Sequence, residues 1–169
     1  MDEIAGLIEP HVPALRRYAW ALLRDEAGAD DLVQDCLERS LSRWHLRRDG
    51  GDLRAWLFTI LHNLFIDGMR RRRREGLRVD IDEIVDLAAP AQEPESRLVV
   101  RDVLDAVESL PADQRAVLLL VCVEDLSYEA AARVLGVPIG TVMSRLSRAR
   151  ERLRRLVTAP PPPVLRRVK

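Results

Sequence analysis

Two amphipathic runs joined by Gly136-Val137-Pro138 constrain this chain more than any other feature. Ser127 stands where a helix N-cap belongs, and the run Tyr128 to Leu135 behind it carries Ala131, Ala132 and Leu135 on one face. Small residues there let a second helix approach closely. Gly136 supplies the positive φ that a tight interhelical turn needs, and Pro138 suits the first turn of the helix that follows. That helix, predicted to reach about Val157, repeats Val142, Leu146, Ala149 and Leu153 as a buried stripe. Its other face carries Thr141, Ser144, Arg145, Ser147, Arg148, Arg152 and Arg155. The pattern is a helix-turn-helix with a basic, hydroxyl-rich second helix, as reading a DNA major groove requires. Backbone amides near Gly140 and Thr141 suit a phosphate, and Ser144, Arg145 and Arg148 then face base edges and neighbouring phosphates. The plain alternative is a solvated basic helix in a bundle. Six arginines from Arg145 to Arg155, together with the glycine and proline of the turn, argue against it.

The rest of the chain reads as helical too. Its 169 residues suffice for one ordinary domain or two small ones, and the apolar content is mostly Leu, Val and Ala with only 4% aromatic residues, which favours helices over strands. Pro10 and Pro13 open a helix predicted over 14–24, with Leu15, Tyr18, Ala19, Leu22 and Leu23 on one face. Asp25 to Gly28 reads as a break. A second helix is predicted over 29–44, burying Leu32, Cys36, Leu37, Leu41 and Trp44 and exposing Asp30, Asp31, Gln34, Asp35, Glu38 and Arg39. A loop with Gly50 and Gly51 follows, and Asp52 is placed to cap a helix from Leu53 that continues, or restarts after Asn63, through Arg74.

Residues 76–95 hold Pro90, Pro94 and six acids against one arginine, and read as a linker with little stable structure. Extended, they span roughly 66–72 Å, about two turns of DNA at ~34–36 Å per turn. Beyond them Leu98, Val99, Val103, Leu104 and Val107 form a stripe, and Pro111 restarts a helix with Val117, Leu118, Leu120 and Val121. The expected architecture is all-α: a first helical domain over 1–75, the acidic linker 76–95, a second helical domain over 96–158, and a proline-rich, disordered tail over 159–169. Two domains this small are each marginal alone and gain stability from partners.

Net charge is zero, but the charge is unevenly placed: residues 96–169 hold 13 basic and 8 acidic side chains. All basic residues but Lys169 are arginine, which forks onto phosphates and guanine edges; a genome rich in arginine codons accounts for the bias equally well. Arg70 to Arg74 end an apolar helix and cannot all pack inward, so they are either a solvated helix end matched to the helix dipole or a phosphate clamp. The aromatic-rich helix before them suits unpaired bases, although Trp56 and Phe65 are assigned to the core. Cys36 and Cys122 read as buried thiols of a reducing compartment. His11, His45 and His62 are scattered, so no metal or cofactor site is expected. No apolar run reaches the length of a membrane span, and no signal peptide precedes the first helix.

Two motifs then carry a family resemblance. Asp30-Asp31-Leu32-Val33-Gln34-Asp35 and Leu53-Arg54-Ala55-Trp56-Leu57-Phe58 through Asn63 resemble region 2 of the extracytoplasmic function (ECF) family of sigma-70-type RNA polymerase sigma factors. Leu110-Pro111, Leu126-Ser127-Tyr128-Glu129-Ala130-Ala131 and Gly136 through Leu146 resemble their region 4. The resemblance covers about residues 10–157. It implies that Asp31, Gln34, Asp35 and Glu38 dock on the β′ clamp of core polymerase, with the β flap as a further contact. It implies that His45, Leu46, Arg47, Arg48 and Asn63 capture a base flipped from the −10 element while Arg70, Arg71, Arg72 and Arg73 hold nearby backbone. It implies that Gly140, Thr141, Met143, Ser144, Arg145, Ser147 and Arg148 read the −35 element. An anti-sigma factor is expected as a partner by analogy, and the expected location is the cytoplasm, on the nucleoid when in holoenzyme. Met143 stands where many relatives carry Lys or Arg, and the −10 loop offers Leu46 and two glycines rather than an aromatic. No nucleophile–base pair, metal constellation or phosphate-cradling glycine loop is present, so the chain is not expected to be an enzyme. Two other readings remain: a helix-turn-helix regulator acting on duplex DNA without polymerase, and a nucleic-acid-processing enzyme using Asp30, Asp31 and Asp35.

Overall fold

The computed structural model describes residues 2–47, 50–76, 103 and 105–158. The linker beyond Gly76, the stripe residues Leu98, Val99 and Leu104, the loop residue Arg48 and the proline tail lie outside them. The helices are α1 (Asp2–Ile8), α2 (Val12–Leu23), α3 (Glu26–Ser42), α4 (Leu53–Arg74), α5 (Ala112–Leu118), α6 (Tyr128–Leu135) and α7 (Ile139–Thr158). Single 3₁₀ turns occupy Glu9–His11 and Trp44–Leu46, and a π turn, Leu119–Val123, extends α5.

In the first module α2, α3 and α4 enclose one core. Leu15, Tyr18, Ala19 and Leu22 of α2 meet Leu32, Val33 and Cys36 of α3 and Leu57, Phe58, Leu61 and Phe65 of α4, all buried. Each large apolar side chain withdrawn from water contributes about 1.5–3 kcal/mol. Tyr18 and Phe58 meet edge to face, with ring centroids 5.4 Å apart. α4 is continuous through Asn63, and Asp52 caps it by accepting from the Ala55 amide at 3.0 Å. α1, an additional helix, has no sequence counterpart in the expected set. The break before α3 is shorter than expected. Arg24 takes the left-handed conformation and Asp25 caps α3 by accepting from the Gly28 amide at 2.8 Å, so Gly28 lies inside the helix. Leu41, expected inside, is 39% exposed: the buried face of the last turn of α3 carries Ser40, at 0% exposure, and Leu41 lies at its solvent edge.

In the second module the apolar run Ala116 to Leu120 is buried and packs α5 against α7 and the π turn against α6. Within the π turn the Glu124 amide donates to the Leu119 carbonyl, five residues back, at 2.9 Å. A π turn adds a residue to the helical repeat and so rotates everything after it. Cys122 and Val123 lie outward at this end of the run and Glu124 lies inward. Cys122 is therefore exposed rather than a buried thiol, while Cys36 is buried as expected and its thiol is pushed up to about 12 by that burial. Val103, assigned to a buried stripe, is 39% exposed.

The helix-turn-helix forms with its expected cap and turn, but the inner face of α6 is rotated from the one expected, leaving Ala132 and Leu135 half-buried. The Ser127 hydroxyl accepts from the Ala130 amide at 3.1 Å, and Gly136 adopts φ 63°. Ala130, Ala131 and Val134 of α6 are buried with Val142, Leu146 and Ala149 of α7. The two modules pack on each other, α4 chiefly against α6 and α2 against α5.

Candidate nucleic-acid and polymerase interfaces

On α3, Asp31, Gln34, Asp35 and Glu38 are all exposed, opposite the face that buries Leu32, Val33 and Cys36. Gln34 Nε2 donates to Glu38 Oε1 at 3.0 Å, one turn along. Asp31 and Asp35 also edge an open groove of about 490 Å³ between α3 and α4, whose α4 wall carries Phe65, Met69, Arg71 and Arg72. The helix thus offers an unobstructed polar face rimmed by apolar surface, which suits docking on another protein.

The loop between α3 and α4 is organised by tryptophan. Trp44 and Trp56 meet edge to face at 6.1 Å. The Arg47 guanidinium lies 4.9 Å above the Trp44 ring and donates to the Gly51 carbonyl at 3.1 Å. His45 and Leu46 are left outside, Leu46 at 66% exposure. An apolar tip held on a rigid aromatic base has the shape that wedges or packs against an unpaired base. Asn63 and Arg70 to Arg74 are exposed along α4, and the nearest acid to Arg70 is Asp67 at 3.8 Å.

On α7 the structure divides the expected readers. Gly140, Met143, Ser144, Ser147 and Arg148 are exposed, and nothing lies within 4 Å of where a Gly140 side chain would begin. The Thr141 amide bonds the Pro138 carbonyl at 2.9 Å, which leaves the amides before it as the open helix end. Arg145 is drawn inward instead. Its Nε lies 3.3 Å from Asp113 Oδ2 on α5, with the side chain 27% exposed. Asp113 is itself pinned, since its Oδ1 accepts from the Gln114 amide at 2.9 Å. Arg145 therefore ties α7 to α5. Of the six α7 arginines, Arg154 and Arg155 pair with Glu151 and Arg150 donates to Cys122. Among the described residues Arg148 and Arg152 have no acidic partner, so they are the free cations of the basic face.

Sequence reasoning missed a cluster between the modules. Glu124 is 1% exposed and accepts from Arg17 at 3.2 and 3.1 Å through both carboxylate oxygens, and from Arg54 at 2.6 Å. Arg24 pairs with Glu108. Buried Arg115 donates to the carbonyls of Glu108, Leu110 and, across the seam, Ala21. The Ala21 carbonyl belongs to the last turn of α2, where a cation meets the negative helix end. The only hint in the sequence was a charged residue, Glu124, ending an apolar run.

Among the described residues no group of three or more His, Cys, Asp or Glu is placed to hold a metal, and no helix is long and apolar enough to cross a membrane. An exposed acidic helix face in one module and an open, basic helix-turn-helix face in the other fit the class of subunits that join another protein to DNA. The comparisons agree. The family described as "Sigma2 domain of PhyR" matches residues 8–62, and "Sigma-70, region 4" matches residues 101–153. The chain is 42% identical over 157 residues to the ECF RNA polymerase sigma factor EcfG of Rhodopseudomonas palustris, covering 92% of this chain and 86% of that protein. It is 35% identical to SigE of Mycolicibacterium smegmatis over 88% of this chain and 59% of that one. Among solved structures, the sigma factor RpoE in complex with the anti-sigma factor NepR from Bartonella quintana superposes with a TM-score of 0.78 at 39% identity, over 93% of this chain and 98% of that one. This chain belongs to the ECF family of RNA polymerase sigma factors.

Proposed function

We propose that this sigma factor divides its work between a polymerase-docking and −10 module over 1–75 and a −35 module over 96–158, joined by the acidic segment 76–95 and followed by a tail over 159–169. Asp31, Gln34, Asp35 and Glu38 dock on the β′ clamp of core polymerase. The loop from His45 to Arg48, with Leu46 at its tip, and Asn63 take a base of the opened −10 strand, and Arg70 to Arg73 hold backbone beside it. Gly140, Met143, Ser144, Ser147 and Arg148 meet the −35 element, while Arg145 fixes the pose of the helix that carries them. Capture of an unpaired base has to outweigh a few kcal/mol of lost stacking. Nothing in that task asks the chain to break or form a covalent bond, so bond-making belongs to the polymerase and the chain acts without enzymatic activity, in the cytoplasm. Control by an anti-sigma factor follows from the likeness to RpoE, which was solved with NepR.

The observation that carries this reading is that the α3 polar face and the outer face of α7 are both open to solvent. The test is run-off transcription by core polymerase with the purified chain on a promoter library. The expected result is initiation from promoters sharing −35 and −10 sequences. Inability of the chain to support initiation on any template overturns it.

A further inference from the structure

Charge and hydrogen bonding do not account for one feature of the outer face of α7. Ile139 and Met143, in its first two turns, are 41% and 52% exposed. Residues four apart lie one above the other on a helix, with Cβ atoms about 5–6 Å apart, so the pair forms one apolar strip. Packing does not require it, since Val142, Leu146 and Ala149 supply the buried face of the helix. Gly140 adjoins the strip, and open space lies where its side chain would begin. The surface beside Met143 is therefore recessed, which lets a ligand come close to the backbone. A protein partner needs a contiguous apolar patch of a few hundred Å². Two apolar side chains among Gly140, Ser144, Ser147 and Arg148, all exposed, fall short of that.

The place of the strip defines its ligand. The first turns of the second helix are the part of a helix-turn-helix that reaches base edges in the major groove. Guanine presents only acceptors there, and neither Ile139 nor Met143 has a proton to give them. Thymine presents a methyl group on C5, which an apolar side chain covers well. Ser144 points to the same base pair by a separate route. Its hydroxyl donates to the Thr141 carbonyl at 3.1 Å, so its one proton is engaged and its lone pairs remain to accept. Adenine, the partner of thymine, offers an amino donor on the same edge. Cytosine offers an amino donor but no methyl. An apolar strip beside an acceptor therefore matches an A·T pair better than a G·C pair. We propose that Ile139 and Met143, with the Ser144 hydroxyl beside them, read an A·T pair of the −35 element through the C5-methyl group of its thymine. This deepens the −35 assignment of α7 and rests on it.

The test uses holoenzyme reconstituted from core polymerase and the full-length chain, on a promoter taken from the run-off library. Each thymine of the −35 element, on either strand, is replaced in turn by deoxyuridine, which removes the methyl group and keeps the base pair. Affinity is read by fluorescence anisotropy at one fixed salt concentration, because phosphate contacts make it salt-dependent. At one thymine or two neighbouring ones, uracil should weaken wild-type binding by roughly three- to fivefold, the effect of one methyl withdrawn from water. Bromouracil at the same place, with bromine filling the space of the methyl, should restore it. Met143→Gln, similar in length but polar, should bind the thymine and uracil duplexes equally, whereas Met143→Leu should keep the discrimination. Both variants should melt with the wild type, since the side chain is exposed. A uracil scan that is silent at every position overturns the proposal. Discrimination that survives in Met143→Gln overturns it too and leaves the strip to a protein partner. A silent scan on a promoter that still depends on its −35 bases refutes the methyl contact alone. Binding indifferent to every −35 base pair refutes the −35 assignment and the proposal with it.

Discussion

The Tyr18 hydroxyl and His62 Nδ1 lie 3.1 Å apart between α2 and α4, sealed inside the first module's core. His62 is 8% exposed. Burial, and secondarily the Arg145 charge, hold its pKa near 4, so it is neutral at pH 7. A histidine whose folded pKa is depressed leaves stability intact above its unfolded value of about 6.5 and erodes it as the pH falls towards 4. Between pH 6.5 and 5 the loss should be about 2 kcal/mol. Urea denaturation at a series of pH values measures it. In His62→Gln the slope over that window should flatten; an unchanged slope would place the titration elsewhere.

The turn of the helix-turn-helix makes a second prediction. Gly136 sits at φ 63°, where a side chain costs about 1–2 kcal/mol. Gly136→Ala should lower stability by that amount, and Ser127→Ala, which removes the α6 cap, by about 1 kcal/mol. Guanidinium midpoints give both values. Equal stability of Gly136→Ala and wild type would contradict the turn geometry.

Arg145 and Arg148 are three residues apart and should behave differently. Arg148 has no acidic partner among the described residues, so Arg148→Ala should leave melting unchanged. It should weaken −35 duplex binding and reduce the slope of log affinity against log salt by about 1. Arg145→Ala and Asp113→Asn should each lower stability by less than about 1 kcal/mol, since the pair is partly exposed. Calorimetry paired with fluorescence anisotropy separates the two roles. Identical behaviour of the two arginines would remove the distinction.

The α3 face makes the fourth prediction. Gln34→Ala/Asp35→Ala should weaken core-polymerase binding by about 1.4 kcal/mol or more, at least tenfold. Helix content and −35 duplex binding should stay at wild-type levels. Co-sedimentation with core enzyme reads the first, and undiminished binding there would move the docking surface off α3.

The expected helices were found where a few neighbouring residues decide the outcome. Asp52 and Ser127 cap α4 and α6 with bonds to amides three residues on. The stripe Val142, Leu146 and Ala149 repeats at helical spacing and is buried. Predictions slipped where an element's end depended on its surroundings. Leu41 fits the α3 stripe but lies at its solvent edge beside buried Ser40, and Cys122, expected buried in the apolar run, is exposed where that run ends.

The sequence by itself determined α2, α3, α4, α6 and α7 in outline, the Asp52 and Ser127 caps, the glycine turn and the polar face of α3. Each of these is settled within a turn or two of backbone, where spacing along the chain equals spacing in space. Only the tertiary structure decided that Arg145 turns to Asp113, that Tyr18 meets His62, and that Glu124 closes on Arg17 and Arg54. Those pairs are 32 to 107 residues apart, and periodicity carries no phase over such distances. Which charge meets which depends on how whole helices pack, and packing is fixed by the apolar faces rather than by the charges themselves.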